Sequence, residues 1–145
     1  MIRSASVIAI VLGLLFVACT DADLGREARP TTLANTSWRA VAINGTATPA
    51  NAAPTAIFTL SEVSGTAGCN HYSGGYDYDA GSGRITFHEL AMTAMACLEA
   101  AKNDVEAAFT KALLQVTTAS MDPAGRLVLS GPNVEILFEV APVPV

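Results

Sequence analysis

From Ser37 to Val140 turn residues cut the chain into short apolar or alternating runs, and that punctuation limits it to an antiparallel sheet with little room for helix. Trp38-Arg39-Ala40-Val41-Ala42-Ile43 reads as a strand ended by Asn44-Gly45, a dipeptide in which both residues tolerate positive φ. A loop with Pro49 and Pro54 leads to Ala56-Ile57-Phe58-Thr59-Leu60. Glu62 to Cys69 reads as the next strand, with Gly65 and Gly68 marking a bulge or a close backbone approach. Tyr76-Asp77-Tyr78-Asp79 alternates aromatic with acid, and Ala80-Gly81-Ser82-Gly83 turns the chain into Arg84-Ile85-Thr86-Phe87. Arg126 to Leu129 precedes a Gly131-Pro132-Asn133 turn, after which Val134, Ile136, Phe138 and Val140 share the inward face of a last strand.

One stretch has helical spacing: Val105, Phe109, Ala112, Leu113 and Val116 fall on one stripe, with Lys102, Asp104 and Lys111 facing away. Asn103, followed three residues later by Glu106, predicts a capping box. About eight short strands with one helix inserted between the two halves predict an α+β fold. Its antiparallel sheet is expected to be strongly curled or barrel-like.

The front of the chain carries an address. Arg3 precedes an almost unbroken apolar run from Ser4 to Val17, too short for a spanning helix, with a small residue before a cut site: the plan of a secretory signal. Phe16-Val17-Ala18-Cys19 resembles a lipobox, whose cysteine receives a diacylglycerol and, after cleavage, often an N-acyl chain. Each buried acyl CH₂ contributes about 0.8 kcal/mol, so two or more chains, palmitate among them, anchor stably. Thr20, in place of Asp, directs such a lipoprotein to the outer membrane. The expected organisation is a signal peptide over 1–18, lipidated Cys19 and a flexible tether over 19–34, a folded domain over 35–141 and a tail over 142–145. The tether mixes charges, small residues and Pro30 without an apolar period.

Acidic residues outnumber basic ones by 13 to 8, and loss of Arg3 with the signal makes the mature chain one unit more negative than the formal −5. Such a chain has no electrostatic footprint for nucleic acid and no basic cluster for anionic lipid head groups.

With Cys19 lipidated, Cys69 and Cys97 remain, and an even pair in an oxidising compartment reads as a disulfide. Closing that loop is worth about 3.6 kcal/mol in the chain-entropy picture. The competing readings are two reduced buried thiols or a redox centre, and neither cysteine sits in a C-x-x-C.

The residues around these cysteines are specific. Val63-Ser64-Gly65-Thr66-Ala67-Gly68-Cys69-Asn70-His71-Tyr72-Ser73-Gly74 resembles the G-x-x-G-C-N-x-(aromatic)-x-G signature of the META domain, also called the HslJ-like family. Leu90-Ala91-Met92-Thr93-Ala94-Met95-Ala96-Cys97 resembles its second signature, L-A-x-T-x-M-A-C. Glu106 to Leu113 is similar to the family's helix, and Thr36-Ser37-Trp38 to its opening strand. Members often carry Gly where this chain has Asn35, and a basic residue where it has His71 and Ala94. The resemblance implies a small α+β domain on envelope lipoproteins, linked to heat shock, antibiotic tolerance or motility, without established catalytic residues. Gly65, Gly68, Cys69, Asn70, Gly74, Thr93, Met95 and Cys97 are then the family-motif residues, structural or interacting. Gly75 joins the motif glycines in allowing close approach, Asn70 is expected to hold a tight bend by bonding neighbouring backbone, and Met92 and Met95 are expected to fill core.

Chemistry has few carriers. Cys69, His71, His88 and Cys97 are four potential ligands at spacings that match no zinc pattern. Ser73, His71 and Asp77 are close in sequence, but a nucleophilic set is defined by geometry. Phosphate loops, dinucleotide fingerprints and G-x-S-x-G are absent from the sequence. The expected function is a non-enzymatic envelope module, without cofactor or metal. Its expected partners are the membrane, through Cys19, and another envelope protein, from the periplasmic face of the outer membrane. The alternatives are a small carrier, with Trp38, Tyr72, Tyr76 and Tyr78 around a lipid or other apolar ligand, and an inhibitor of an envelope hydrolase presenting a rigid loop near Gly74-Gly75 or Gly81-Gly83.

Overall fold

The computed structural model describes residues 28–141. The expected signal peptide, Cys19 and the expected tail over 142–145 lie outside these residues. The strands are β1 (Thr36–Ile43), β2 (Thr46–Ala47), β3 (Thr55–Phe58), β4 (Glu62–Thr66), β5 (His71–Asp79), β6 (Arg84–Met92), β7 (Thr118–Met121), β8 (Leu127–Gly131) and β9 (Val134–Val140). Helix α1 (Ala100–Leu113) stands between β6 and β7. Every neighbouring pair is antiparallel, and the sheet closes because β1 pairs with both β3 and β9. The result is an eight-stranded barrel, with β2 as a two-residue flap on β1.

Local chemistry sets the corners. Asn44 and Gly45 both take positive φ (49° and 77°), making the two-residue hairpin turn between β1 and β2. Asp79 holds the β5–β6 turn: its carboxylate accepts from Ser82 Oγ (2.7 Å) and Gly81 N–H (2.9 Å). The Ser82 hydroxyl and then the Gly81 amide bring the Asp79 carboxyl below its usual range. Asn35 adopts φ 61°, the left-handed conformation that glycine takes without penalty.

The barrel axis is filled. Phe58, Phe109, Phe138, Leu127, Leu129 and Ile136 are almost wholly inaccessible, and burial of each side chain contributes about 1.5–3 kcal/mol. Phe109 of α1 packs against Tyr72 and Phe138, with ring centroids 5.5 and 6.4 Å apart. The helix stripe is inward at Phe109, Ala112 and Leu113, with Val105 half-buried and Val116 buried just past the helix end.

Several expectations are corrected. The tether does not extend to residue 34: Ala28 bridges Met121, Pro30 O accepts from Tyr78 Oη (2.7 Å), and Leu33 is 1% exposed. One buried leucine and two backbone contacts dock a segment that has no apolar period. The capping box does not form. Helix α1 starts at Ala100 behind Glu99, which gives no side-chain cap, and Asn103 Nδ2 instead donates to Cys97 O (3.0 Å). Strands β5 and β6 are longer than their alternating cores, reaching back to His71 and on to Met92. Leu60 lies in the β3–β4 turn and Val140 runs past the core rim, so both are exposed.

Gly65 lies so close to β3 that a Cβ there would stand 2.1 Å from Thr55 O. Gly65→Ala is therefore expected to push β3 from β4 and lower stability by about 1–3 kcal/mol in a urea titration. An unchanged midpoint would show that the two strands separate freely.

Candidate functional site

The motif residues meet at one end of the barrel. Gly65, Gly68, Cys69 and Asn70 come from the end of β4 and the following turn, Thr93, Met95 and Cys97 from the segment after β6, and Glu106 from α1. Cys69 and Cys97 form a disulfide, with Cα atoms 6.2 Å apart. The backbone enters at the other end, where Ala28 meets the last residue of β7 and Thr36 pairs with Phe58.

Asn70 is the hub, and it is 5% exposed. Its Nδ2 donates to Met95 O (3.2 Å) and Glu106 Oε1 (2.9 Å). Its Oδ1 accepts from Thr93 Oγ1 (2.9 Å) and Met95 N–H (2.7 Å), so both donors and both lone pairs of the amide are used. The Asn70 N–H gives a further bond to Glu106 Oε2 (2.6 Å). Thr93 Oγ1, while donating to Asn70, accepts from His71 N–H (3.1 Å). The expectation that Asn70 bonds its own neighbourhood is thus too narrow: Ala67 N–H does close a local turn on Asn70 O (2.8 Å), but the side chain spans to the second signature and the helix.

Glu106 was the residue that sequence reasoning misplaced. Partial burial raises its carboxyl pKa, but bonds from the Asn70 side chain, the Asn70 N–H and the Cys69 N–H outweigh this and set it below the ordinary value. A group with a depressed folded pKa stabilises fully above its unfolded pKa, about 4.3 for glutamate, and loses that contribution as pH falls through the folded value. Glu106→Gln is accordingly expected to be less stable than the parent at pH 7, with the difference shrinking below about pH 4. Urea midpoints measured at pH 7 and pH 3 check this, and a constant difference would refute it.

The glycines serve contact. Gly68 takes φ 131° under α1, where a Cβ would lie 2.9 Å from Lys102 O. Gly74 and Gly75 lie in β5 against Leu90 and His88. They form no projecting loop, and Gly81-Gly83 is the tight turn held by Asp79. Opposite Gly74, β6 carries a bulge at Glu89, which has φ 54°.

Met95 and Met92 are not core. They are 55% and 37% exposed, because the staple uses the Met95 backbone and Met92 sits at the open rim. Leu98, beside the disulfide, is fully exposed. The tyrosines are structural: Tyr72, Tyr76 and Tyr78 donate to Thr55 O, Thr59 O and Pro30 O at 2.7–2.8 Å. Burial pushes the Tyr72 phenol well above its ordinary range. Trp38 Nε1 donates to Thr36 Oγ1 (2.7 Å). These rings spend their polar groups on the fold, and the barrel axis between the strands is filled with side chains.

His71, Ser73 and Asp77 lie on the outer side of β5, and at strand rise His71 and Asp77 stand about 20 Å apart. No triad forms there. His88 Nε2 instead lies 3.5 Å from Asp77 Oδ2 on the surface. Among the described residues no three His, Cys, Asp or Glu side chains cluster as a metal site.

The comparisons agree with this construction. The META domain family model matches residues 31–142. No curated protein matches the chain. An NMR structure of a protein from Burkholderia xenovorans is 22% identical, with a TM-score of 0.64, covering 97% of this chain and 99% of that one. A second NMR structure is 23% identical with a TM-score of 0.57, covering 73% of this chain and 89% of the other. Both likenesses concern the fold. The match over 31–142, which takes in Leu33 and both cysteine signatures, makes this chain a member of the META domain family.

Proposed function

We propose that the chain is a non-enzymatic lipoprotein module of the cell envelope, attached to the membrane through Cys19 and working by contact with another envelope protein. The class of role we assign is support of the envelope under stress, antibiotic tolerance included. One observation carries the reading: the family signatures are spent on tying backbone together. Asn70, Thr93 and the cysteine pair are fully engaged with one another, and the platform they make presents Met95 and Leu98 to solvent. Exposed apolar side chains carried on a stapled backbone suit a protein contact. Ala28, the first described residue, lies at the end of the barrel opposite that platform.

The test uses the full chain in a Gram-negative host. Labelled fatty acid is expected on the protein, and its loss is expected in Cys19→Ala. A photo-crosslinker at Leu98 is expected to capture one discrete envelope protein, whereas the same group at Leu60, at the far end, captures none. Absence of lipid, or turnover of a substrate by the purified protein that His71→Ala or His88→Ala abolishes, would overturn the reading.

A further inference from the structure

The barrel has one weak seam. Strand β6 pairs with β5 along its length but meets β7 only at Arg84–Thr118, with Ile85 N–H donating to Thr117 O as the last bond across. Beyond Ile85 no strand pairs with that edge of β6 among the described residues. The chain at Thr117 comes from α1 there, so the edge looks into a cleft of about 500 Å³ between β6 and the helix end. Phe87, Leu90, Leu113 and Leu114 line it, and Leu114 is 69% exposed. A side pocket of about 140 Å³ continues inward past Leu90 to Thr110, whose hydroxyl is buried without a hydrogen-bond partner.

We infer that this seam binds a short extended segment of another protein, added as a strand antiparallel to β6, with its carboxyl end at Arg84. The inference rests on the protein-contact reading above and gives it a second, separate surface. An unpaired run of backbone donors and acceptors is satisfied by an extended backbone, which an apolar small molecule does not supply. The recess between Leu90 and Leu114 and the bulge at Glu89 interrupt this edge, which favours a single narrow strand over the edge of another sheet. Arg84 is the sole charged residue lining the cleft, with Asp79 facing it across the β5–β6 ladder, and it stands where β6 and β7 converge and a chain end must stop. A carboxylate is the group that complements it there. Alternate side chains of the added strand would face Leu90 and the side pocket.

The probe is a library of random ten-residue peptides with free carboxyl termini, selected on the full-length lipoprotein in detergent. Enriched sequences are expected to be apolar at alternate positions near the carboxyl end. A representative peptide should perturb the amide resonances of Phe87 to Met92, and should lose at least tenfold in affinity when its alternate amides are methylated. Leu114→Glu, at an exposed position that folding tolerates, should weaken it to the same degree, and Leu60→Glu should not. Amidation of the carboxyl terminus should weaken binding to the parent and have no effect on Arg84→Ala. No enrichment, enrichment at helical spacing, binding indifferent to methylation, or self-association through β6 would each overturn the inference. Seam binding in cells where Leu98 captures no envelope protein would sink the wider reading and leave the seam. Capture at Leu98 without any seam-binding peptide would do the reverse.

Discussion

Asn70→Ala is expected to lower the stability of the domain by about 3 kcal/mol or more. The substitution removes little volume. It leaves the Met95 N–H and C=O without their partner, takes a neutral donor from Glu106 and frees the Thr93 hydroxyl. Each buried group left unsatisfied costs about 1–3 kcal/mol. Asn70→Asp separates hydrogen bonding from size. It keeps the shape but sets a carboxylate against Glu106, and two like charges raise the folded pKa of the pair. A raised carboxyl pKa means that the folded state holds protons more firmly, so this variant gains stability relative to the parent as pH falls from 7 toward 4. That dependence is opposite in sign to the one expected for the parent's Glu106. Urea midpoints across this range decide it. A pH-independent loss in Asn70→Asp would mean that the carboxylate has turned out to solvent.

The second large effect belongs to the disulfide. Cys69→Ala and Cys97→Ala are each expected to lower stability by about 3–4 kcal/mol and the melting temperature by about 10 °C or more. The double substitution should cost little beyond either single one, because each single change already breaks the bond. Clearly additive losses in a double-mutant cycle would show that the two sulfurs contribute separately. The combination of Asn70→Ala with Cys97→Ala should instead depart from additivity, since both hold the same segment against α1.

Much of the barrel is legible in the sequence because its signals are local. Asn44-Gly45 states its turn in two residues, the Val134–Phe138 alternation states a strand, and Phe109, Ala112 and Leu113 state a buried helix face. The family signatures locate the stapled end, yet not how it is held. Asn70 and Glu106 are 36 residues apart, and the local pattern around Glu106 matches a capping box that the tertiary bond to Asn70 displaces. Gly131 reads as a turn residue but lies in the β8–β9 ladder, where a Cβ would stand 1.9 Å from Gln115 O. Nothing in its neighbourhood names that partner. Leu33 is a lone apolar residue among polar ones, and a single leucine has no period from which burial can be inferred. The β6 seam is invisible for a similar reason: β6 alternates as a paired strand does, and the missing partner is set by where α1 ends.

Closure of the sheet between its first and last strands also fixes when the protein can be complete. Trp38 pairs with Val140, and Ala141 N–H donates to Ser37 O (2.9 Å), so β1 waits for nearly every other residue to be synthesised. Contacts this far apart in sequence form late, after the entropy of closing a long loop has been overcome. Until β9 leaves the ribosome, β1 and β8 each lack a neighbour. A domain whose first and last strands must meet stays open until its last strand has been made, the state in which a polypeptide can still be threaded through a narrow pore.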